Sequence, residues 1–462
     1  MDHVWWTEVV FRGWRQRPGP RYQRLAAALL DAVTRGVVRE GVRVPAERSL
    51  AAALGVSRGT VVACFEHLAQ AGVVARRQGA GTFVSGRPSW TAESGVTTLL
   101  LRRTADRQAI DLSLSVPSDL SHLPPIDAAT AWCELDGPGL DPAGLPALRT
   151  AVAEHLSRHQ QLPTEPAQIM ITAGAQEALW LLARTGTGLV TTCPTYPGTA
   201  GAADGRPVGV LRTGPDGPNP ASVERVARAP GTLVHLMSTG HNPTGTVMPT
   251  LARQSVAAIA DAATARIVED LTLADLHLDA EPPPPIAAMS PAVVVVGSTA
   301  KLLWSGLRVG WIRADEPLRS ALLAAKTQLN LATAATTQAI AAQLLRAVDR
   351  PWLDAHRNAL ALRRDHLAAE LSERLPGWRV NRPAAGLSLW VELPVASVDA
   401  FAHTAARHGV TISPGSASCL DGRHHGFARL SFAGQLDTLT LAADRLAAAW
   451  EAHTQDVAAA PR

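Results

Sequence analysis

Of the 43 basic residues in this chain only two are lysine, Lys301 and Lys326. Lys301 stands in GSTAKLLWSGLRVGW, residues 297–311, between an apolar run and a turn containing glycine. Arginine, with a pKa above about 12, keeps its proton, whereas a partly desolvated lysine can lose it, attack a carbonyl and form a Schiff base. Other groups suited to such chemistry recur along the chain. They are Gly174, Ala175 and Gln176 in TAGAQEAL, Tyr196 in CPTYPG, Asn242 in HNPTG, Asp270 in VED, and Ser298 and Arg308 flanking the lysine. Together they offer a phosphate cup, a flat ring, an amide, a carboxylate, a hydroxyl, an amine and a guanidinium.

The elements that must position them read as alternating strands and helices. QIMIT (168–172), GLVTT (188–192), TLVHLM (232–237), ARIVED (265–270) and AVVVVGS (292–298) are short unbroken apolar runs separated by helical stretches such as GAQEALWLLAR and RQSVAAIADAATA. Unbroken apolar strands imply an α/β unit with a mostly parallel sheet covered on both faces. Ligands in such sheets collect at the carboxyl ends of the strands, where each of these groups falls. One small molecule uses all of them, pyridoxal 5'-phosphate. Lys301 would carry its aldehyde, Asp270 would keep the pyridine nitrogen protonated, and Asn242 would serve the ring hydroxyl. Tyr196 would cover the ring face, while Arg308, Ser298 and the amides at 175–176 would take the phosphate. Singly, each has a plainer reading that outweighs the chemical one, Lys301 as a surface lysine, Asp270 as a helix cap and Asn242-Pro243 as a turn. Their joint order at successive strand ends singles out the cofactor.

The N-terminal part has a different character. Residues 1–90 hold 13 arginines against six acidic residues, while the remainder is mildly acidic. A basic module on a separate body suits a polyanion. Leu25, Leu29, Leu30 and Val33 share one face of a helix that stops at Gly36. Pro45 opens a second helix and Gly55 closes it. Ser57 caps a third, 58–71, with Val61, Val62, Phe65, Leu68 and Ala69 as its apolar positions. Two short strands with an Arg- and Gly-rich turn follow in VVARRQGAGTFV, 73–84. This is winged helix-turn-helix grammar. Ser57, Arg58, Gly59 and Thr60 stand where phosphate and base edges come close. Arg48, Arg76, Arg77 and Gly79 would approach the backbone or minor groove of double-stranded DNA. A helical docking domain with merely solvated arginines is the plainer alternative.

A length of 462 residues predicts two or three domains. Cys64, Cys133, Cys193 and Cys419 are far apart and form no C-x-x-C pair, so neither disulfides nor a metal site is expected, and a reducing cytoplasm is the expected compartment. No signal peptide or membrane span is read. EPPPPI, 281–286, reads as a surface elbow. The stretch 322–345 reads as one long Ala-rich helix joining a large lobe to a small lobe of 350–452. Residues after Ala452 read as frayed.

The stretch from Tyr22 to Val84, with its VPAERSLAAALGVSRGTVVACFEHL core and RRQGAGTFV wing, closely resembles the GntR-type bacterial regulators. Ala46 departs from that pattern, in which serine often follows the proline. Residues 111–450 resemble a fold-type I, class I aminotransferase through TAGAQEAL, CPTYPG, HNPTG, VED and the Lys301 motif. The whole chain resembles the MocR (PdxR) subfamily of GntR regulators. That resemblance implies a multidomain chain. A winged helix-turn-helix (1–85), a linker (86–110) and an aminotransferase-like domain of large and small lobes (111–455) precede a disordered tail (456–462). It also implies a head-to-tail homodimer, and makes Arg429 in FARLSFAG the clamp for an amino-acid carboxylate.

Three departures stand out. Thr272 occupies a place where relatives carry a tyrosine serving the ring hydroxyl. Ala300 replaces a serine before the lysine. No tyrosine lies near 137–149, where relatives often send one to a partner's phosphate. Each loss should weaken cofactor grip or proton handling by roughly 1–2 kcal/mol. The expectation is a regulator that senses the cofactor, or a small amine or amino acid, through Lys301. The alternatives are an active aminotransferase with a DNA-binding appendage, and a DNA-binding protein whose large domain only dimerises.

Overall fold

The structure, a computed structural model, describes residues 5–16, 19–34, 37–38, 42–70, 73–77, 81–84, 109–133, 135 and 137–458. The chain divides into two compact units, residues 1–100 with 399–403 and residues 101–398 with 404–462. The expected linker lies almost wholly outside the described residues.

In the first unit, helices α1 (Arg21–Thr34), α2 (Glu47–Leu54) and α3 (Arg58–Gln70) precede the hairpin β1 (Val74–Arg77) and β2 (Gly81–Val84). Leu25, Leu29 and Val33 meet Val61, Phe65 and Leu68 in one core. Ala69 was expected on that face but is exposed, and Cys64 is buried instead. Positions 61, 64, 65 and 68 form the i, i+3, i+4, i+7 stripe, and 69 falls one step beyond it. α2 ends at Gly55 with φ +66°, and Thr60 N donates to Ser57 Oγ across 3.1 Å, the expected cap of α3. Ala46, before α2, makes no side-chain cap.

Two features of this unit extend the sequence reading. Trp6, Val10, Phe11 and Trp14, which precede the GntR-like stretch, are buried in the same core. Arg15 Nη2 donates to Leu54 O across 3.0 Å, closing the end of α2. The segment 42–44 also runs beside β2, with Val84 N donating to Val42 O and Val44 N to Thr82 O, each across 2.9 Å.

The second unit is built on an eight-stranded sheet. Its strands are β4 (Ile169–Thr172), β5 (Gly188–Cys193), β6 (Val208–Gly214), β7 (Gly217–Pro218), β8 (Thr232–Leu236), β9 (Arg266–Asp270), β10 (Val294–Ser298) and β11 (Gly310–Arg313). Their order is β4-β11-β10-β9-β8-β5-β6-β7. From β10 to β6 neighbours are parallel, while β11 pairs antiparallel with both β10 and β4. β4 therefore points the same way as β10, and the five expected strands end on one edge. Met170, Leu189, Leu233, Val268 and Val296 pack into the core beneath helix α4 (Ala175–Arg184). β6 and β11 were not expected. Only Leu211 of β6 is buried, and β11 starts in sequence at the end of the lysine motif.

The expected single helix over 322–345 is two, α6 (Leu318–Asn330) and α7 (Ala335–Ala347), after α5 (Thr250–Ala262). The chain turns at Leu331, whose φ is +59°. Asn330 closes α6, accepting from Lys326 Nζ at 3.2 Å and donating to Glu177 Oε1. No glycine or proline marks this break. The small lobe carries α8 (Arg350–Arg374) and a sheet β12-β13-β16-β15, made of Arg379–Val380, Ser388–Glu392, Phe427–Ser431 and Ser413–Pro414. Helix α9 (Leu436–Ala458) continues past the expected fraying point. β3 (Ile110–Asp111) pairs in parallel with β14 (Val410–Thr411).

The proline elbow is not wholly at the surface, since Pro285 and Ile286 are buried. Buried Arg253 donates to the carbonyls of Pro283 and Pro284, at 3.0 and 3.2 Å, and Ile286 N and Ala287 N donate to buried Glu269.

Candidate functional site

The edge where β4, β5, β8, β9 and β10 end gathers the expected groups. Lys301 lies in a π-turn, Ala300–Trp304, directly after β10. Its Nζ donates to Ser115 O across 2.7 Å. Desolvation first, then the Arg429 charge, lowers its pKa to about 7, although Asp270 opposes the shift. A neutral amine is therefore abundant near pH 7, the state a carbonyl nucleophile needs.

Asp270 ends β9 and is buried. Thr272 N donates to its Oδ1 across 2.9 Å, and His235 Nε2 lies 3.3 Å from its Oδ2. With the proton on Nε2, His235 Nδ1 accepts from Thr191, 3.1 Å away. The sequence reading missed this histidine, which sits inside an apolar strand and reads as core. Its place on β8, beside β9, lets it reach the carboxylate. Asp270 is thus oriented by two donors before it meets any ligand.

Tyr196 follows β5. Burial raises its phenol pKa, and the charges of Arg429, Asp270 and Arg308 all act on it. Gly198 lets the ring sit where it does, because a Cβ there would lie 2.5 Å from Tyr196 Cε1. Gln176 Nε2 donates to Gly198 O across 2.9 Å. Its Oε1 is buried and has no hydrogen-bond partner among the described residues.

The turn expected to serve as a phosphate cup rests on two glycines. Gly174, at φ +100°, caps the N-terminus of α4. A Cβ there would come within 2.9 Å of Arg308 Nη2, which donates to Ala173 O across 2.7 Å. Gly310 on β11 lies against the same turn, and a Cβ on it would sit 2.6 Å from Gly174 C. Arg308 is exposed and in the left-handed region at φ +52°. Ser298 is turned inward instead, donating to Val309 O across 3.0 Å and accepting from Ala300 N across 3.2 Å. Its hydroxyl proton is engaged in holding the turn that presents Lys301.

Asn242 and Arg429 meet across the lobes, with Arg429 Nη1 donating to Asn242 Oδ1 at 2.9 Å and Nη2 to Ser113 O at 2.6 Å. Arg429 is buried, desolvation lowers its pKa to about 10, and its Nε has no partner among the described residues. The HNPTG loop is held by buried His241, between Thr192 Oγ1 at 2.9 Å and Thr244 Oγ1 at 2.8 Å. Burial drives the His241 pKa down to about 4, so it serves as a neutral strut.

Residues 107–446 match the family of class I and II aminotransferases. The chain belongs to that family. In its other unit, residues 21–84 match the bacterial regulatory proteins of the gntR family. The domain order of this aminotransferase-family chain is that of the MocR subfamily. It is 27% identical over 473 positions to the HTH-type transcriptional regulator YisV of Bacillus subtilis, covering 92% of this chain and 95% of YisV. It is 29% identical over 335 positions to the HTH-type pyridoxine biosynthesis transcriptional regulator PdxR of Corynebacterium glutamicum, covering 68% and 70% of the two chains. The alpha-aminoadipate aminotransferase LysN of Thermus thermophilus, solved with N-(5'-phosphopyridoxyl)-L-leucine, shares the fold. Its TM-score is 0.70 at 24% identity, over 78% of this chain and 95% of LysN.

On the first unit, Ser57, Arg58 and Gly59 are exposed at the start of α3 and Arg48 is exposed on α2. Ser57 Oγ and Thr60 Oγ1 are 2.9 Å apart, and Arg58 lies 3.4 Å from Glu47 Oε2. Gly79 and the side chains of Arg76 and Arg77 lie outside the described residues. Among those residues no single helix is long and apolar enough to cross a membrane.

The fold brings two cysteines that are distant in sequence together. Cys193 at the end of β5 and Cys419 before β16 have their sulfurs 3.8 Å apart, with Asp421 and His424 beside them. They are 226 residues apart in sequence, and only the packing of the small lobe on the large one joins them.

Proposed function

We propose that this protein is a transcription regulator that binds duplex DNA through its first unit and pyridoxal phosphate through its second, using the cofactor to sense an amine, an amino acid or cofactor supply. The reading rests on one observation. The single lysine after β10 is desolvated and faces a charge-matched set contributed by successive strand ends. The residues fit the cofactor, since Arg429 Nε is a buried donor and Gln176 Oε1 a buried acceptor, each still owed a partner, and Gly174 starts a helix whose first N–H groups suit a phosphate.

When bound, pyridoxal phosphate supplies an aldehyde carbon to which a primary amine adds. Lys301 would hold that carbon. Asp270, fixed by His235 and Thr272 N, would keep a proton on the ring nitrogen. Asn242 would serve the ring hydroxyl and Tyr196 the ring face. Ala175 and Gln176 N–H groups with Arg308 would take the phosphate, and Arg429 the carboxylate of an amino acid. Thr272 supplies no phenol for the ring hydroxyl, which favours sensing over rapid turnover. The regulator would act as a head-to-tail homodimer in the bacterial cytoplasm, where its operator lies.

A ligand shifts DNA affinity only if it binds two arrangements of the protein unequally. The test is fluorescence anisotropy on the DNA upstream of the protein's own gene, with and without pyridoxal phosphate and candidate amines. The expected shift is roughly five- to 150-fold in the wild type and none in Lys301→Ala. Equal shifts in both proteins would contradict the proposal.

A further inference from the structure

We propose that Cys193, Cys419, Asp421 and His424 form a zinc site that pins the small lobe to the large one beside the ring-binding residue Tyr196. The four ligand atoms lie within 4.8 Å of one another. Cys193 Sγ is 3.8 Å from Cys419 Sγ, 3.2 Å from Asp421 Oδ1 and 3.9 Å from His424 Nδ1. Cys419 Sγ is 3.3 Å from Asp421 Oδ1 and 3.6 Å from His424 Nδ1, and the last two atoms are 4.0 Å apart. Zinc bonds of about 2.3 Å to sulfur and about 2.0–2.2 Å to nitrogen and oxygen span a tetrahedron with edges of about 3.3–3.8 Å. The five separations that involve a sulfur fall within about 0.4 Å of that geometry, and the His424–Asp421 separation of 4.0 Å would close by about half an ångström around the ion. Two soft sulfurs, an imidazole and a carboxylate suit zinc and are unsuited to magnesium or calcium.

The surroundings are those of a ligand set. Leu420 N donates to Cys193 Sγ, and His424 N donates to Cys419 Sγ, each across 3.3 Å. Backbone donors aimed at both sulfurs would stabilise the thiolates that a bound zinc ion requires, against the burial that pushes the Cys193 thiol up to about 12 when no ion is bound. Arg423 Nη2 lies 2.6 Å from Asp421 Oδ2 and Arg423 N donates to Asp421 Oδ1. Two thiolates, one carboxylate and a divalent ion sum to one negative charge, which that guanidinium offsets. Such partners behind the ligands orient them and tune the metal. Thr195 N donates to Ser418 O across 2.9 Å, so the two loops meet without the metal. Four protein ligands complete the tetrahedron, which makes the site structural or regulatory.

Its placement gives it a consequence. Cys193 is three residues before Tyr196, and His424 is five residues before Arg429. A bound ion would fix the distance between the ring-binding loop and the strand that carries Arg429. The zinc site is independent of the proposed function and forms whether or not Lys301 binds a cofactor.

The test is metal binding by the full-length reduced protein, first stripped with chelator and then titrated with zinc chloride or cobalt chloride. The expected result is one zinc per chain by elemental analysis. Cobalt should give the intense visible bands of a tetrahedral ion together with sulfur-to-cobalt charge transfer. Cys419→Ser and His424→Ala should each weaken zinc binding at least tenfold, while the Cys64→Ser, Cys133→Ser double variant should bind as the wild type does. Adventitious binding would overturn the proposal, shown as less than stoichiometric zinc or octahedral cobalt in the wild type. A Cys193–Cys419 disulfide that persists in the reduced preparation and blocks zinc would overturn it in favour of a redox link.

Discussion

Arg429 Nη1 donates to Asn242 Oδ1 across 2.9 Å, so the small-lobe strand that would supply the carboxylate clamp is bonded to the loop that would serve the cofactor's ring hydroxyl. An incoming carboxylate must compete with that amide oxygen and with Ser113 O. Arg429→Lys keeps the charge but loses the planar fork. The loss of one charge-assisted hydrogen bond, about 1.5–3 kcal/mol, should weaken amino-acid binding roughly ten- to hundredfold. Binding of the matching amine without a carboxylate should stay unchanged. Spectral titration with the two ligand types measures both.

The lowered pKa of Lys301 sets a pH dependence. Its folded pKa, about 7, is below that of a free lysine, so the neutral amine is lost as pH falls through about 7. Capture of pyridoxal phosphate should slow about tenfold per pH unit below that point and level off above about pH 8. Stopped-flow absorbance follows it. A rate still climbing tenfold per unit between pH 8 and 9 would show an ordinary exposed lysine.

Gly310→Ala tests the phosphate cup. A methyl there meets the backbone of Gly174, which cannot rotate away as a side chain could. The expected cost is roughly 1–3 kcal/mol of stability together with loss of phosphate binding. Thermal unfolding and titration with inorganic phosphate measure the two effects.

Much of the sheet was legible because buried parallel strands leave unbroken apolar runs, and 169–172, 188–193, 232–236, 266–270 and 294–298 all lie within a residue or two of expectation. The rest needed three dimensions. The turn at Leu331 carries no glycine or proline, and its signal is a side-chain bond between Asn330 and Glu177, 153 residues apart. His235 reads as core until its neighbour strand delivers Asp270. Trp6 and Trp14 lie outside the GntR-like stretch, so that likeness said nothing of them. Cys193 and Cys419 become partners only through lobe packing.

Trp6 therefore supports a prediction the family pattern does not make. It is 1% exposed and sits among Val10, Phe11 and the α1–α3 core. Trp6→Ala should cost about 3–5 kcal/mol of stability in the first unit. Limited proteolysis should then cut within α1–α3 while the second unit stays intact.

In the helix-turn-helix, Arg58 is exposed at the start of α3, held only loosely by Glu47. Arg58→Ala should lower DNA affinity and reduce the slope of log affinity against log salt by about one if the contact is to phosphate. Ser57→Ala should remove the cap bond to Thr60 N and cost about 1 kcal/mol of stability. Anisotropy over a salt series and thermal unfolding check the pair.

The most direct measurement is borohydride reduction of protein incubated with pyridoxal phosphate, followed by peptide mapping. The account predicts a phosphopyridoxyl group on the peptide carrying Lys301, stoichiometric with chain and absent from Lys301→Ala. A label confined to Lys326 or the N-terminal amine, or no label at all, would contradict it.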